Sequence, residues 1–248
     1  MASLDEILAM MDKRVALAVK DYWATRAGQE TRQRTVGRQD QGARAAVTGG
    51  AQMDGFIRLL SDIIMEAGVR PEHVFFKKAL ELPGFFRPTK EWDLLVVRNG
   101  QLILALEAKS QVGPSFGNNF NNRTEEAMGS ALDLWTAYRE GAFNTTVKPW
   151  LGYLFLLEDC ARSRSPIQVK EPHFEVFSEF KNASYAKRYE LFCRKLLRER
   201  HYSSSCFLIA SRQAGSKGIY QEPAQDLSFR IFARSLLAHV SAFGQVLS

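Results

Sequence analysis

The chain has 248 residues, 46% of them apolar and 24% charged, enough to fill the core of one sizeable α/β domain and too apolar for intrinsic disorder. Its 33 Lys and Arg against 27 Asp and Glu leave a formal charge of +6, which suits a polyanionic partner without naming one. Cys160, Cys193 and Cys206 are odd in number and far apart, with no CxxC pair, which suggests neither a disulfide framework nor a zinc ribbon and fits a reducing cytoplasm.

The first residues, MASLDEILAMMDKR, are acidic early and amphipathic, unlike a signal peptide. Leu4, Ile7, Leu8, Met11, Val15, Ala18, Val19 and Tyr22 recur at helical spacing and predict a helix from Leu4 to Trp23. Between Gly28 and Gly50 the chain has five glycines and no aromatic residue, and Arg32, Arg34, Arg38 and Arg44 outnumber its acids. This reads as a mobile basic loop, either a solvated linker or an arm that wraps DNA. A second helix is expected from Met53 to about Ala67, and a short strand near His73 to Lys78. The segment ELPGFFRPTK is turn-rich, and a hydrophobic hairpin follows it.

A helix is predicted from about Arg123 to Glu140, then a strand at Trp150 to Leu157, which is too short to span a bilayer. A loop to about Lys181, a helix over Ser184 to Arg200, a strand at Cys206 to Ala210 and a helix from Asp226 to Val246 complete the chain. Strands mixed with helices, without regular βαβ repetition, predict an α/β fold with a mixed sheet flanked by helices.

The hairpin carries charges where a buried strand should not want them. Asp93 opens its first strand, and Glu107 and Lys109 close the second. Alternation along a strand points Glu107 and Lys109 one way and Ala108 the other. Whether Asp93 joins them depends on the turn. A two-residue Asn99-Gly100 loop pairs Asp93 with Leu106 and separates the two acids onto opposite faces. A three-residue loop of Arg98, Asn99 and Gly100 pairs Asp93 with Ala105 and unites them, so this loop, or a bulge near Asp93, is expected. Two carboxylates and a lysine at one sheet edge suit Mg²⁺ and a phosphodiester. The competing reading is a set of strand-end charges reaching solvent.

Asp93 followed by Glu107-Ala108-Lys109 resembles the PD-(D/E)xK nuclease motif, and "KSQVGPSFGNNFNNRTEEA" is similar to the XhoI-type family of type II restriction endonucleases. The likeness runs through "GGAQMDGF", "LPGFFRPTKEWD", "LLEDC", "PHFEVF" and "FKNASYAKRYELFCRKL", from about Gly49 to the strand near Cys206. One departure is Trp92, which stands where the motif has proline. The resemblance implies one restriction-endonuclease-like domain over residues 1–248, acting as a Mg²⁺-dependent homodimer. It implies cleavage of both strands of double-stranded DNA within CTCGAG, leaving 5′-phosphates, beside a cognate methyltransferase. Asp93, Glu107 and Lys109 are the expected catalytic residues, with Asp93, Glu107, Ala108 and Asp54 assigned to the metal.

Asp54, at the start of the second helix, is either a further metal ligand or a charge favourable to the helix dipole. Asn118, Asn119, Asn121, Asn122 and Arg123, read as a loop beside the catalytic edge, are expected to contact DNA, since asparagine pairs with adenine and arginine with guanine. Arg87 and Lys90 flank the approach to Asp93 as candidate phosphate contacts. Glu125 and Glu126 read as first-turn helix charges. The basic helix after Ser184 is either a phosphate-tracking face or an ordinary charged surface. The four histidines form no paired ligand spacing, which argues against zinc chemistry. A catalytically silent DNA-binding protein and a structure-specific repair nuclease are the alternatives, the first opposed by the intact Asp93, Glu107 and Lys109.

Overall fold

A computed structural model describes residues 4–35, 51–144 and 147–246. Two N-terminal helices, α1 (Leu4–Ala9) and α2 (Met11–Thr35), are followed by α3 (Asp54–Glu66). Five short or medium strands come next: β1 (Val74–Phe75), β2 (Glu81–Pro83), β3 (Thr89–Glu91), β4 (Leu94–Arg98) and β5 (Gln101–Gln111). The rest comprises α4 (Phe116–Arg139), β6 (Trp150–Glu158), α5 (Ala161–Arg164), α6 (Tyr185–Arg198), β7 (Ser204–Ala210), α7 (Arg212–Gly215) and α8 (Phe229–Val246).

The main sheet has the order β1-β4-β5-β6-β7. β1, β4 and β5 pair antiparallel, whereas β6 and β7 join in parallel through the crossover helices α4 and α6. Every residue of β6 and of β7 is buried, as expected of parallel strands covered on both faces. On one face Leu94, Val96, Leu104, Leu106 and Ala108 pack with α1, α2, α3 and α8. On the other, Leu95, Ala105, Tyr153, Phe155 and Phe207 pack against α4 and α6. The expected mixed sheet flanked by helices is therefore present.

Two expectations about local structure are corrected. Residues 28–35, read as the start of a basic loop, belong to α2; residues 36–50 lie outside the described residues. The asparagine run is not a loop either, since α4 begins at Phe116 and not near Arg123. Asparagine and glycine are poor helix formers, but Phe116 and Phe120 stand one turn apart. Phe116 stacks on Tyr185 at 5.5 Å and Phe120 meets Tyr189 edge-on at 5.0 Å, so docking on α6 overrides local propensity. Gly117 lets this happen: a Cβ there would lie 2.7 Å from the Tyr185 hydroxyl.

The turn-rich segment before the hairpin also has order of its own. β2 and β3 pair antiparallel, with Leu82 opposite Lys90. Strand alternation turns those two residues inward and leaves Glu81, Pro83, Thr89 and Glu91 exposed.

Candidate active site

The turn between β4 and β5 is the tight one. Arg98 pairs with Gln101, leaving a two-residue loop in which Asn99 and Gly100 both have positive φ, 52° and 73°. This is the arrangement that Asn-Gly favours, because it matches the twist of the strands. The expected three-residue loop, and with it the pairing of Asp93 with Ala105, is therefore incorrect. Taken alone, the tight turn would place the acids on opposite faces.

A bulge restores the common face. The ladder passes from Val97↔Leu102 to Val96↔Leu104, so Ile103 is an extra residue on β5. Beyond it Leu94 faces Leu106, and one further step sets Asp93 opposite Glu107. The Asp93 N–H donates to the Leu106 carbonyl at 3.1 Å. The bulge lies between turn and site, farther from Asp93 than the sequence reading placed it, and the parity it produces is the one the site requires.

Asp93, Glu107 and Lys109 are in contact. Lys109 Nζ lies 3.1 Å from Glu107 Oε1 and 3.5 Å from Asp93 Oδ2. The Ala108 N–H donates to Asp93 Oδ2 at 2.8 Å, while the Ala108 methyl is buried in the opposite-face core. Glu107 is a buried carboxylate, 3% exposed, and such a group needs partners. It has a second ammonium group, Lys90 Nζ, at 3.0 Å from the same Oε1. Burial pushes the Glu107 carboxyl up, but Lys109 and Lys90 outweigh it and hold the group below the usual carboxylate range. Burial likewise pushes Lys109 down, and Glu107 and Asp93 reverse this and hold it above the usual lysine range.

Tyr202, just before β7, comes from a part of the chain where no motif marks it. Its hydroxyl lies 3.2 Å from Glu107 Oε2 and 3.1 Å from the Ala127 carbonyl of α4, so it ties the acid to the helix above. Tyr202→Phe is expected to weaken the fold by about 1 kcal/mol, a loss that urea unfolding measures.

Glu107 and Lys109 open onto a cleft of about 590 Å³, lined also by Phe86, Arg87, Lys90 and the α4 residues Arg123, Glu125, Glu126, Ser130 and Asp133. On α4, positions 119, 122, 123, 126, 130 and 133 follow one another at helical spacing, so Asn119 and Asn122 extend the cleft-lining stripe. Asn118, Asn121 and Asn122 are exposed and Asn119 is half-buried. Arg123 pairs with Glu126 at 2.6 Å. Glu125 and Glu126 stand in the third turn of α4, so their reading as first-turn charges is also corrected.

Arg87 and Lys90 do line the cleft, each with an acidic partner. Arg87 Nε donates to Asp133 Oδ2 at 2.7 Å, and Lys90 is held on Glu107 and over the Trp92 ring at 4.5 Å. Asp54 is exposed at the first position of α3. Partial desolvation and the nearby Asp93 charge raise its pKa against the pull of Arg58 and Lys77. The basic helix α6 spends its charges on acids: Lys187 and Arg194 pair with Glu190, Arg194 also with Asp226, and Lys195 with Glu179.

The donor set fits a hard divalent cation. Two carboxylates meet on one face, and the Ala108 backbone faces Asp93 across the ladder, so its carbonyl, which leaves the strand on the same side as its N–H, points toward them. Among the described residues no group of three or more His, Cys, Asp or Glu could enclose a metal. Such a site suits an ion that keeps several of its waters.

The family model for restriction endonuclease XhoI matches residues 32–222, reaching further toward the N-terminus than the blocks recognised in the sequence. The chain is 55% identical over 215 residues to the type II restriction enzyme BstVI of Geobacillus stearothermophilus, covering 85% of this chain and 96% of that protein. It is 45% identical over 194 residues to the type II restriction enzyme XhoI of Xanthomonas vasicola, covering 77% of each. It is 49% identical over 168 residues to AbrI of Azospirillum brasilense, covering 67% of this chain and 75% of that protein. No solved structure matches significantly.

Proposed function

The chain belongs to the XhoI family of type II restriction endonucleases, nucleases that hydrolyse phosphodiester bonds in double-stranded DNA, and we propose that it is a Mg²⁺-dependent homodimer cutting both strands within CTCGAG. The observation that carries this reading is the convergence of Asp93, Glu107 and Lys109 on one face of the β4–β5 ladder, beside a cleft in which Arg87, Lys90 and Arg123 stand among acidic side chains.

Asp93, Glu107 and the Ala108 carbonyl would hold the metal, with Asp54 as a further acid near Asp93. A divalent cation held there would supply Lewis-acid chemistry, polarising the phosphoryl group and favouring an attacking hydroxide. The residues of the chain do the rest. Lys109 presents a fixed ammonium to the scissile phosphate, where it orients the water and offsets the charge that builds as the water oxygen bonds to phosphorus. The P–O3′ bond breaks, leaving a 5′-phosphate and a 3′-hydroxyl. Tyr202 keeps Glu107 from turning away. Lys90, Arg87 and Arg123 supply positive charge for the backbone, and Asn118, Asn119, Asn121 and Asn122 present amide groups suited to base edges from the first turns of α4.

One such site cuts one strand, so a double-strand cut in a palindrome calls for a second copy related by twofold symmetry. A cognate methyltransferase acting on the same sequence, without stable complex, would protect host DNA. Among the described residues no helix is long and apolar enough to cross a membrane.

The test is a digest of a plasmid carrying a single CTCGAG site, in Mg²⁺, with unmethylated and site-methylated DNA in parallel. One linear product from unmethylated plasmid alone is expected. Discrete cuts elsewhere would keep the nuclease and discard the target, a smear would favour recognition of DNA shape, and no cutting in Mg²⁺ or Mn²⁺ would leave a binding protein.

A further inference from the structure

Glu107 Oε1 carries two ammonium groups, Lys90 at 3.0 Å and Lys109 at 3.1 Å, and Glu107 Oε2 meets the Tyr202 hydroxyl. Only Lys109 belongs to the strand motif; Lys90 arrives from β3. With Asp93 the group is balanced, two negative charges against two positive. A divalent cation added to the same carboxylates raises the local charge by two, and the oxygen that both lysines share cannot also serve the metal without loss. Repulsion between charges a few ångströms apart in a half-buried site is large enough to expel one of them.

The two lysines are not equally held. Lys109 springs from β5 two residues from Glu107 and reaches Asp93 as well. Lys90 has Glu107 as its one carboxylate among the described residues, together with the Glu91 carbonyl at 3.2 Å and the Trp92 ring. It belongs to a short two-stranded ribbon at the cleft wall, beside Arg87.

We propose that Lys90 is an exchangeable counter-ion: it neutralises Glu107 in the metal-free enzyme, yields that carboxylate to the divalent cation, and passes to a phosphate of the DNA lying in the same cleft. This rests on the reading of Asp93 and Glu107 as metal ligands. It makes metal and DNA binding mutually reinforcing, because the cation sets free a phosphate contact, and linkage requires that DNA then favour the cation equally. It also gives Glu107 a second cation beside Lys109 before metal arrives, which offsets the cost of burying the acid.

Mn²⁺ binding to the purified enzyme, followed by the paramagnetic resonance of the unbound ion, separates the alternatives. Lys90→Met keeps the aliphatic stem and removes the charge, and is expected to bind Mn²⁺ about tenfold more tightly than the wild type. Lys90→Arg keeps the charge and should bind Mn²⁺ like the wild type, which a merely structural role for Lys90 would not predict. In Ca²⁺, affinity for a non-scissile duplex should rise less for Lys90→Met than for the wild type, with a salt dependence shallower by about one phosphate contact per protomer. Asp93→Ala, expected to weaken Mn²⁺ binding at least tenfold, tests the metal site alone. Loss in Asp93→Ala together with unchanged or weaker binding in Lys90→Met would keep the metal site and overturn the exchange. Wild-type binding in Asp93→Ala would overturn both.

Discussion

Replacing Lys109 by methionine is expected to slow strand cleavage by at least ~100-fold while leaving DNA binding and the fold largely intact. The side chain is one-quarter exposed and forms part of the cleft floor, so its stem can be mimicked and only the charge is lost. That charge stands within 3.5 Å of both acids. On the proposed reading Lys109 meets the transition state, where negative charge accumulates, more than the ground state, and the loss should fall on kcat. Glu107→Gln and Asp93→Ala should be comparably damaging for a different reason, since they remove the carboxylates that meet on the shared face. Single-turnover cleavage of a duplex with one site, run beside a gel shift in Ca²⁺, gives both readings. Full activity in the Lys109 or Asp93 variant would remove the assignment.

Much of this site is legible in the sequence, and the parts that are not have physical reasons. Charges at the end of a hydrophobic hairpin mark Asp93, Glu107 and Lys109 because a buried strand has no structural use for them. Their common face is harder to read. Asn-Gly announces a two-residue turn correctly, but a β-bulge has no strong local signature, and Ile103 looks like any other strand residue. The parity of the site is therefore set by a residue whose importance appears only once the ladder is drawn.

The asparagine run misleads in the opposite direction. Its composition favours turns, and only the spacing of Phe116 and Phe120 hints at a helix docked on α6. Lys90 can be read as a basic residue near the cleft; that it sits on Glu107 depends on β2–β3 pairing across a segment whose prolines suggest irregular chain. Tyr202 and Asp133 are partners across 95 and about 50 residues of sequence, and no short-range pattern encodes such contacts.

Asp133 accordingly gives the second large effect. It is 5% exposed on α4, and its three partners all come from the turn between β2 and β3. Oδ1 accepts the Phe85 and Phe86 N–H groups at 2.7 and 2.8 Å, and Oδ2 accepts Arg87 Nε at 2.7 Å. Gly84 makes room for this, since a Cβ there would lie 2.6 Å from Asp133 Oδ2. Asp133→Ala strands two backbone donors beside the helix and releases the turn that leads into Lys90, at an expected cost of about 2–4 kcal/mol. Asp133→Asn keeps an oxygen for the two N–H groups but turns its NH₂ toward the Arg87 Nε–H, which no longer has an acceptor there, so a cost of about 1–2 kcal/mol is expected. The acid dependence follows from the same contacts. Burial pushes the Asp133 carboxyl up, but the Phe86 N–H, Arg87 and the Phe85 N–H outweigh it and hold the group below the usual range. A carboxylate depressed in the folded state contributes its full stability above the unfolded value, near ~4, and loses it as pH falls through the folded value. Urea midpoints measured from pH 7 down to pH 3 should therefore fall less steeply for Asp133→Asn than for the wild type, with the two curves converging at the acid end. Parallel curves across that window would show that Asp133 does not hold the turn by charge.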